Sequence, residues 1–147
     1  MGINVERARA EDLDDVLRLL SAHQLPPDGL RDHVGTLLVA RDGGRIVGSA
    51  ALEMYADGAL LRSVAVEATL QRHQLGRELT QAAIRLAENR QVPAIYLLTT
   101  TASAYFPRFG FERVTRADVP AGVQQSLEFT SACPSTAVVM RKLLLRN

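Results

Sequence analysis

Over residues 3 to 9 the apolar Ile3 and Val5 alternate with polar neighbours, and after Glu11-Asp12 the apolar residues Leu13, Val16, Leu17 and Leu20 recur at helical spacing. The pattern predicts a strand followed by an amphipathic helix. Pro26-Pro27-Asp28-Gly29 breaks the chain, and a short helix is expected up to about Val34. Leu37 to Ala40 and Ile46 to Leu52 flank a turn at Asp42-Gly43-Gly44, as in a hairpin. Asp57-Gly58 then turns into another apolar run, Ala59 to Val66. Three successive strands joined by tight turns make an antiparallel meander.

From Gly76 the period changes. Leu79, Ala82, Ala83, Leu86 and Ala87 form one stripe, with Arg77, Glu78, Arg85 and Glu88 opposite. Val92-Pro93 ends this helix, and Ala94 to Leu98 is an apolar run suited to a buried strand. A strand, helix, strand unit implies that Leu60 to Val66 and Ile95 to Leu98 lie parallel in one sheet. Ala102 to Phe109 is expected to be a short helix, Phe111 to Val114 a strand, and Thr136 to Leu145 a last strand. The fold class is α/β, with a mixed central sheet, antiparallel first and then parallel.

A length of 147 residues suits one domain with a real core. With 47% apolar and 22% charged residues the composition is that of a globular protein. The net charge of +1, without a Lys/Arg run, argues against nucleic acid as a partner. No apolar run reaches the roughly 18 residues of a membrane span, so no membrane association is expected. Cys133 has no partner cysteine, and the first residues are too charged for a signal peptide, which favours the cytoplasm. His23 and His33 show no carboxylate spacing that suggests a metal site, and no metal is assigned.

The stretch from Ser63 to Leu79 carries the clearest chemistry. A strand runs into a short loop and then into a helix whose first turn has unpaired N–H groups and a positive dipole end, a ready site for phosphate. Gly76 would admit a pyrophosphate to the backbone, and Arg72 and Arg77 could add charge-assisted hydrogen bonds. The plainer reading is an ordinary strand-to-helix turn with a solvated basic loop.

Gln71-Arg72-His73-Gln74-Leu75-Gly76 resembles the acetyl-CoA signature of the GNAT acetyltransferases, which runs Gln or Arg, two variable residues, Gly, one variable residue, then Gly or Ala. Gln74 stands where the family has its first glycine, so its side chain must point away from the pyrophosphate. Tyr105-Phe106-Pro107-Arg108-Phe109-Gly110-Phe111 resembles the family's aromatic pair followed by a Gly-Phe turn. The resemblance covers nearly the whole chain. It implies a sheet with helices on both faces, opened by a diverging parallel pair that admits acetyl-CoA, and acetyl transfer to an amine. The cofactor residues it implies are Val64, Ala65, Val66, Gln71, Arg72, His73, Gln74, Leu75, Gly76, Arg77, Tyr105 and Phe106, with the Val66 N–H or a neighbour as oxyanion donor. Many members place a tyrosine that protonates the departing thiolate where Phe106 stands. On a helix Tyr105 would point about 100° away from that position. A thiol pKa of about 8.5 makes a dedicated acid optional.

Glu53, Arg62 and Thr100 are the candidate catalytic residues, and Arg62, Ser63, Thr99 and Thr100 the candidate acceptor-binding ones. An Arg inside an apolar strand needs an anionic partner. That partner is either an acceptor carboxylate gripped by the guanidinium fork or Glu53 across the hairpin. Glu53 is in turn a candidate general base or a solvent-facing strand residue. Thr99-Thr100-Thr101 lies at the carboxyl end of a parallel strand, where ligands bind, or serves as helix caps. The segment from Val119 to Ala137, with Arg62 to Val66 and Leu97 to Thr101 before it, resembles the arsenic-resistance GNATs, which acetylate the glutamate mimic arsinothricin, and also glutamate acetyltransferases. On that resemblance Cys133 is an arsenic ligand or simply a loop thiol. The expected partner is a small-molecule amine, and a homodimer stays open. The alternatives are a protein or peptide acetyltransferase and a CoA-binding regulator without catalysis.

Overall fold

A computed structural model describes residues 3–71, 74–126, 129 and 136–144. Seven strands form one sheet: β1 (Ile3–Arg7), β2 (Leu37–Asp42), β3 (Arg45–Tyr55), β4 (Gly58–Val66), β5 (Ala94–Thr99), β6 (Glu112–Val114) and β7 (Val138–Leu143). Their order is β1-β2-β3-β4-β5-β7-β6. Neighbours are antiparallel throughout except β4 and β5, which are parallel. The meander and the parallel crossover are thus as the hydrophobic pattern implies. The last strand, whose neighbours the pattern did not indicate, enters between β5 and β6, so the sheet ends on the three-residue β6.

The helices α1 (Leu13–Ala22), α2 (Leu75–Asn89) and α3 (Ala121–Gln124) complete the layers. The α2 stripe of Leu75, Leu79, Ala83 and Ala87 packs on Leu38, Ala40, Val47, Ala50, Leu52 and Leu61. On another cluster, Leu13, Val16 and Leu20 of α1 meet Leu37, Val39, Ala51 and Ala65. Alternate residues of β2 and β3 therefore fill different layers, which is the period-two signature read in three dimensions. The close fit of α2 explains Gly48, where a Cβ would come within 2.8 Å of Leu79 and 3.2 Å of the Ala65 carbonyl.

Several short elements depart from their expected form. The helix expected up to Val34 is a 3₁₀ segment, Leu30–Thr36, interrupted at His33. That expected at Ala102 to Phe109 shrinks to a 3₁₀ turn, Phe106–Phe109. Pro107 cannot donate a backbone hydrogen bond, and Gly110 at φ +94° ends the turn. The four-residue α3 was not apparent in the sequence; the Asp57 carboxylate accepts the Gly122 N–H at 2.8 Å and anchors its first turn.

Asp12, 5% exposed, accepts the Arg41 fork at 2.8 and 3.2 Å and the Arg9 N–H at 2.8 Å. The hydrogen bond from Arg41 is the main cause holding its carboxyl below the usual range. A depressed folded pKa contributes stability above the unfolded value of about 3.9, lost as pH falls through the folded one. Asp12→Asn should therefore lower stability at neutral pH by about 1.5–3 kcal/mol. The gap from wild type should close in acid. Thermal melts from neutral to acid pH check this, and a gap independent of pH would refute it.

Candidate active site

β4 and β5 are paired only at Ala59 with Ile95 and Leu60 with Tyr96. β4 continues to Val66 along β3, and β5 to Thr99 along β7. Past Leu60 and Tyr96 the two strands therefore separate. Backbone N–H and C=O groups of 61–66 and 97–99 that would have completed the ladder border the opening, and such groups need partners. A bulge sharpens the divergence: Ser49 pairs with Ala65 but Ala51 with Arg62, so β4 carries one extra residue. Ser63 takes up the irregularity at φ +59°, and the Ser49 hydroxyl donates to its carbonyl at 2.7 Å.

The chain leaves β4 through a loop closed by the Gln71 side chain, whose amide donates to the Val66 carbonyl at 3.1 Å. Gln74 precedes α2 at φ +60° with its side chain exposed. The left-handed conformation is kept without a glycine. Glu78 N–H bonds to the Gln74 carbonyl. The amides of Leu75, Gly76 and Arg77 precede this first helical bond, so they lie in the part of α2 that has no intrahelical acceptor. Leu75 is core, while Arg77 is exposed. Arg72 and His73, expected in this loop, lie outside the described residues, as does Cys133.

The two aromatic residues are disposed differently from the expectation. Phe106 is buried in the core against Phe111, with ring centroids 5.8 Å apart. Tyr105 belongs to the preceding turn, and its hydroxyl is 3.3 Å from where a Cβ on Gly76 would stand. The phenol faces the first turn of α2. Burial is the first cause pushing its pKa up, with the Arg108 guanidinium, 4.5 Å from the ring centre, opposing it. The phenol is protonated at neutral pH.

On the α1 side of the sheet the acceptor candidates form a closed network. Arg62 and Glu53 side chains are 0% and 2% exposed and bond at 2.7 Å, Nη1 to Oε2. Arg62 also donates to the Asp28 carbonyl at 2.5 Å, the Pro26 carbonyl at 2.9 Å and the Ser63 hydroxyl at 3.0 Å. Of the two readings for Arg62, the geometry favours the internal ion pair, and its fork is occupied by the protein itself. Glu53 is no solvent-facing residue. Its other oxygen accepts the Tyr55 hydroxyl and faces His33 Nε2 at 3.5 Å. His33 and Tyr55 were not among the expected site residues, because only the packing of the 3₁₀ segment on β3 brings them there. At the end of β5 the Thr99 hydroxyl accepts the Ala102 N–H at 2.9 Å, which closes a local turn, while Thr100 is exposed.

A family model described as the Acetyltransferase (GNAT) family matches residues 5–111. The chain belongs to the GNAT acetyltransferases. Among solved structures, Rv2747 from Mycobacterium tuberculosis in complex with CoA superposes with a TM-score of 0.81 at 23% identity, covering 97% of this chain and 99% of that one. N-acetylglutamate synthase from Neisseria gonorrhoeae, complexed with coenzyme A and N-acetyl-glutamate, gives 0.83 at 18% identity. That match covers 99% of this chain and 36% of the synthase, so this GNAT domain spans about a third of it. The ribosomal-protein-S18-alanine N-acetyltransferase from Escherichia coli gives 0.76 at 20% identity, covering 99% and 96%. At these identities the likeness is one of fold. Among the described residues no group of three or more His, Cys, Asp or Glu gathers as a metal site, and no helix is long and apolar enough to cross a membrane.

Proposed function

We propose that the chain transfers the acetyl group of acetyl-CoA to the α-amine of a small amino-acid-like acceptor in a ternary complex. The opening between β4 and β5 beside the first turn of α2 carries this reading. Pantetheine is an extended chain with two amides, and the strand edges that border the opening offer N–H and C=O partners for them. The pyrophosphate matches the α2 amides, with Arg77 near and Gly76 leaving the approach open. When bound, acetyl-CoA supplies an activated acyl carbon.

The residues of this chain do the rest. Val64, Ala65 and Val66 present backbone groups along the opening, and the Val66 N–H is a suitable donor toward a developing oxyanion. Tyr105 lines the cofactor arm from the α2 side. Phe106 has no proton to give. Arg62 ties the carbonyls of Pro26 and Asp28 to β4 and so shapes the acceptor side, while exposed Thr100 offers a hydroxyl at the mouth. Direct attack by a neutral amine then needs positioning and removal of one proton, not an acyl-enzyme.

The choice of acceptor class is supported by the fold shared with N-acetylglutamate synthase and by the resemblance of the Val119 to Ala137 segment to arsinothricin and glutamate acetyltransferases. Without a free Arg62, an anionic acceptor side chain finds its counter-charge elsewhere. Release of CoA thiol should be measured with glutamate, other α-amino acids and phosphorus- or arsenic-bearing glutamate analogues. Turnover confined to glutamate-like amines is expected. Acetyl-CoA binding without turnover on any amine would replace the enzyme with a CoA-binding regulator.

A further inference from the structure

We propose that His33 is the general base that takes the acceptor's ammonium proton, and that Glu53 is the positioning residue behind it. The inference rests on the acyl-transfer reading above. Glu53 cannot reach an acceptor itself: its carboxylate is 2% exposed and its oxygens are engaged by Arg62 and the Tyr55 hydroxyl. A buried carboxylate held between a cation and a phenol is instead suited to orienting an imidazole. His33 offers one, with Nε2 3.5 Å from Glu53 Oε1 and the side chain 23% exposed. Its place at the break in the Leu30–Thr36 segment turns the ring toward β3.

A carboxylate oxygen 3.5 Å from Nε2 favours the tautomer with its proton on that nitrogen, which leaves the Nδ1 lone pair facing away from Glu53. Among the described residues Nδ1 has no hydrogen-bond partner. Arg62 joins this pair to the bulge of β4: the residue that bonds Glu53 also bonds Ser63, at the edge of the opening. One proton moves from the acceptor nitrogen to Nδ1, freeing the nitrogen lone pair for attack. The resulting imidazolium is stabilised by the Glu53 carboxylate and releases its proton through its exposed edge. Among the described residues, the charged and titratable groups around the ring are Glu53 and Tyr55 from β3, Arg62 from β4 behind Glu53, and exposed Arg31 and Asp32 on its own segment.

His33→Gln should lower kcat/KM for the acceptor by about a hundredfold, the scale of general base catalysis. The KM for acetyl-CoA and the melting temperature should stay unchanged, the acid limb of the pH profile should vanish, and added imidazole should restore part of the rate. In wild type, ¹⁵N NMR should show neutral His33 protonated at Nε2, titrating together with the acid limb of kcat/KM. A His33→Gln enzyme with wild-type rate and acid limb overturns the base role. So does an Nδ1-protonated ring, or a ring titration that fails to coincide with the limb, even if the variant does not fold. Wild type without turnover on any amine removes the acyl-transfer reading and the base with it. Turnover with an indifferent His33 removes only the base.

Discussion

Arg62→Ala should melt roughly 10 °C or more below wild type, reflecting a loss of about 3–5 kcal/mol from a buried charge left alone. The guanidinium has 0% exposure and compensates Glu53, itself at 2%. It also holds the carbonyls of Pro26 and Asp28, so its removal frees the loop between α1 and the Leu30–Thr36 segment. Arg62→Lys keeps the charge but not the fork and should fall between. Combining Arg62→Ala with Glu53→Leu should recover part of the loss, because both buried charges are then gone. Calorimetry of the three proteins reads this directly. An Arg62→Ala protein as stable as wild type, impaired only in acceptor KM, would return Arg62 to the role of carboxylate anchor.

The contrast between these roles shows what could be learned from the chain alone. An Arg among Leu60, Leu61 and Val64 announces that it must have an anion, and Glu53 was one of two possibilities. What the pattern could not show is that two backbone carbonyls, 34 and 36 residues away in sequence, complete the fork. His33 was unreadable for the same reason: it lies on a short irregular segment with no periodicity, and its meeting with Glu53 exists only after packing. Local signals served better. Alternation placed β1, apolar runs between turn residues placed β2 to β5, the α2 stripe placed its helix, and the crossover implied the parallel pairing of β4 and β5. The helix expected from Ala102 to Phe109 is reduced to a 3₁₀ turn because Pro107 in its interior lacks an N–H to donate, so Tyr105 caps the turn instead of lying within a helix. The place of β7 beside β5 is a long-range choice with no local mark.

Gly76→Glu should raise the KM for acetyl-CoA more than a hundredfold, about 3 kcal/mol, without loss of fold. Among the described residues outside the helix itself, a Cβ at 76 would meet Tyr105 Oη at 3.3 Å and Val66 Cγ2 at 3.7 Å, both side-chain atoms. The position is not among the left-handed glycines, so a side chain is not strained by the backbone. Glycine inside a helix is about 1 kcal/mol worse than a good helix former, and an acid in the first turn favours the helix dipole. Stability should thus hold or rise. Binding should collapse for two reasons that act together: the side chain occupies the approach to the α2 amides, and its carboxylate repels a pyrophosphate. Gly76→Ala, which adds only the methyl beside Tyr105, separates the two and should cost far less. Circular dichroism with acetyl-CoA titration measures both sides of the claim. A folded Gly76→Glu protein with wild-type acetyl-CoA KM would place the pyrophosphate away from α2, and with it the cofactor away from the opening between β4 and β5.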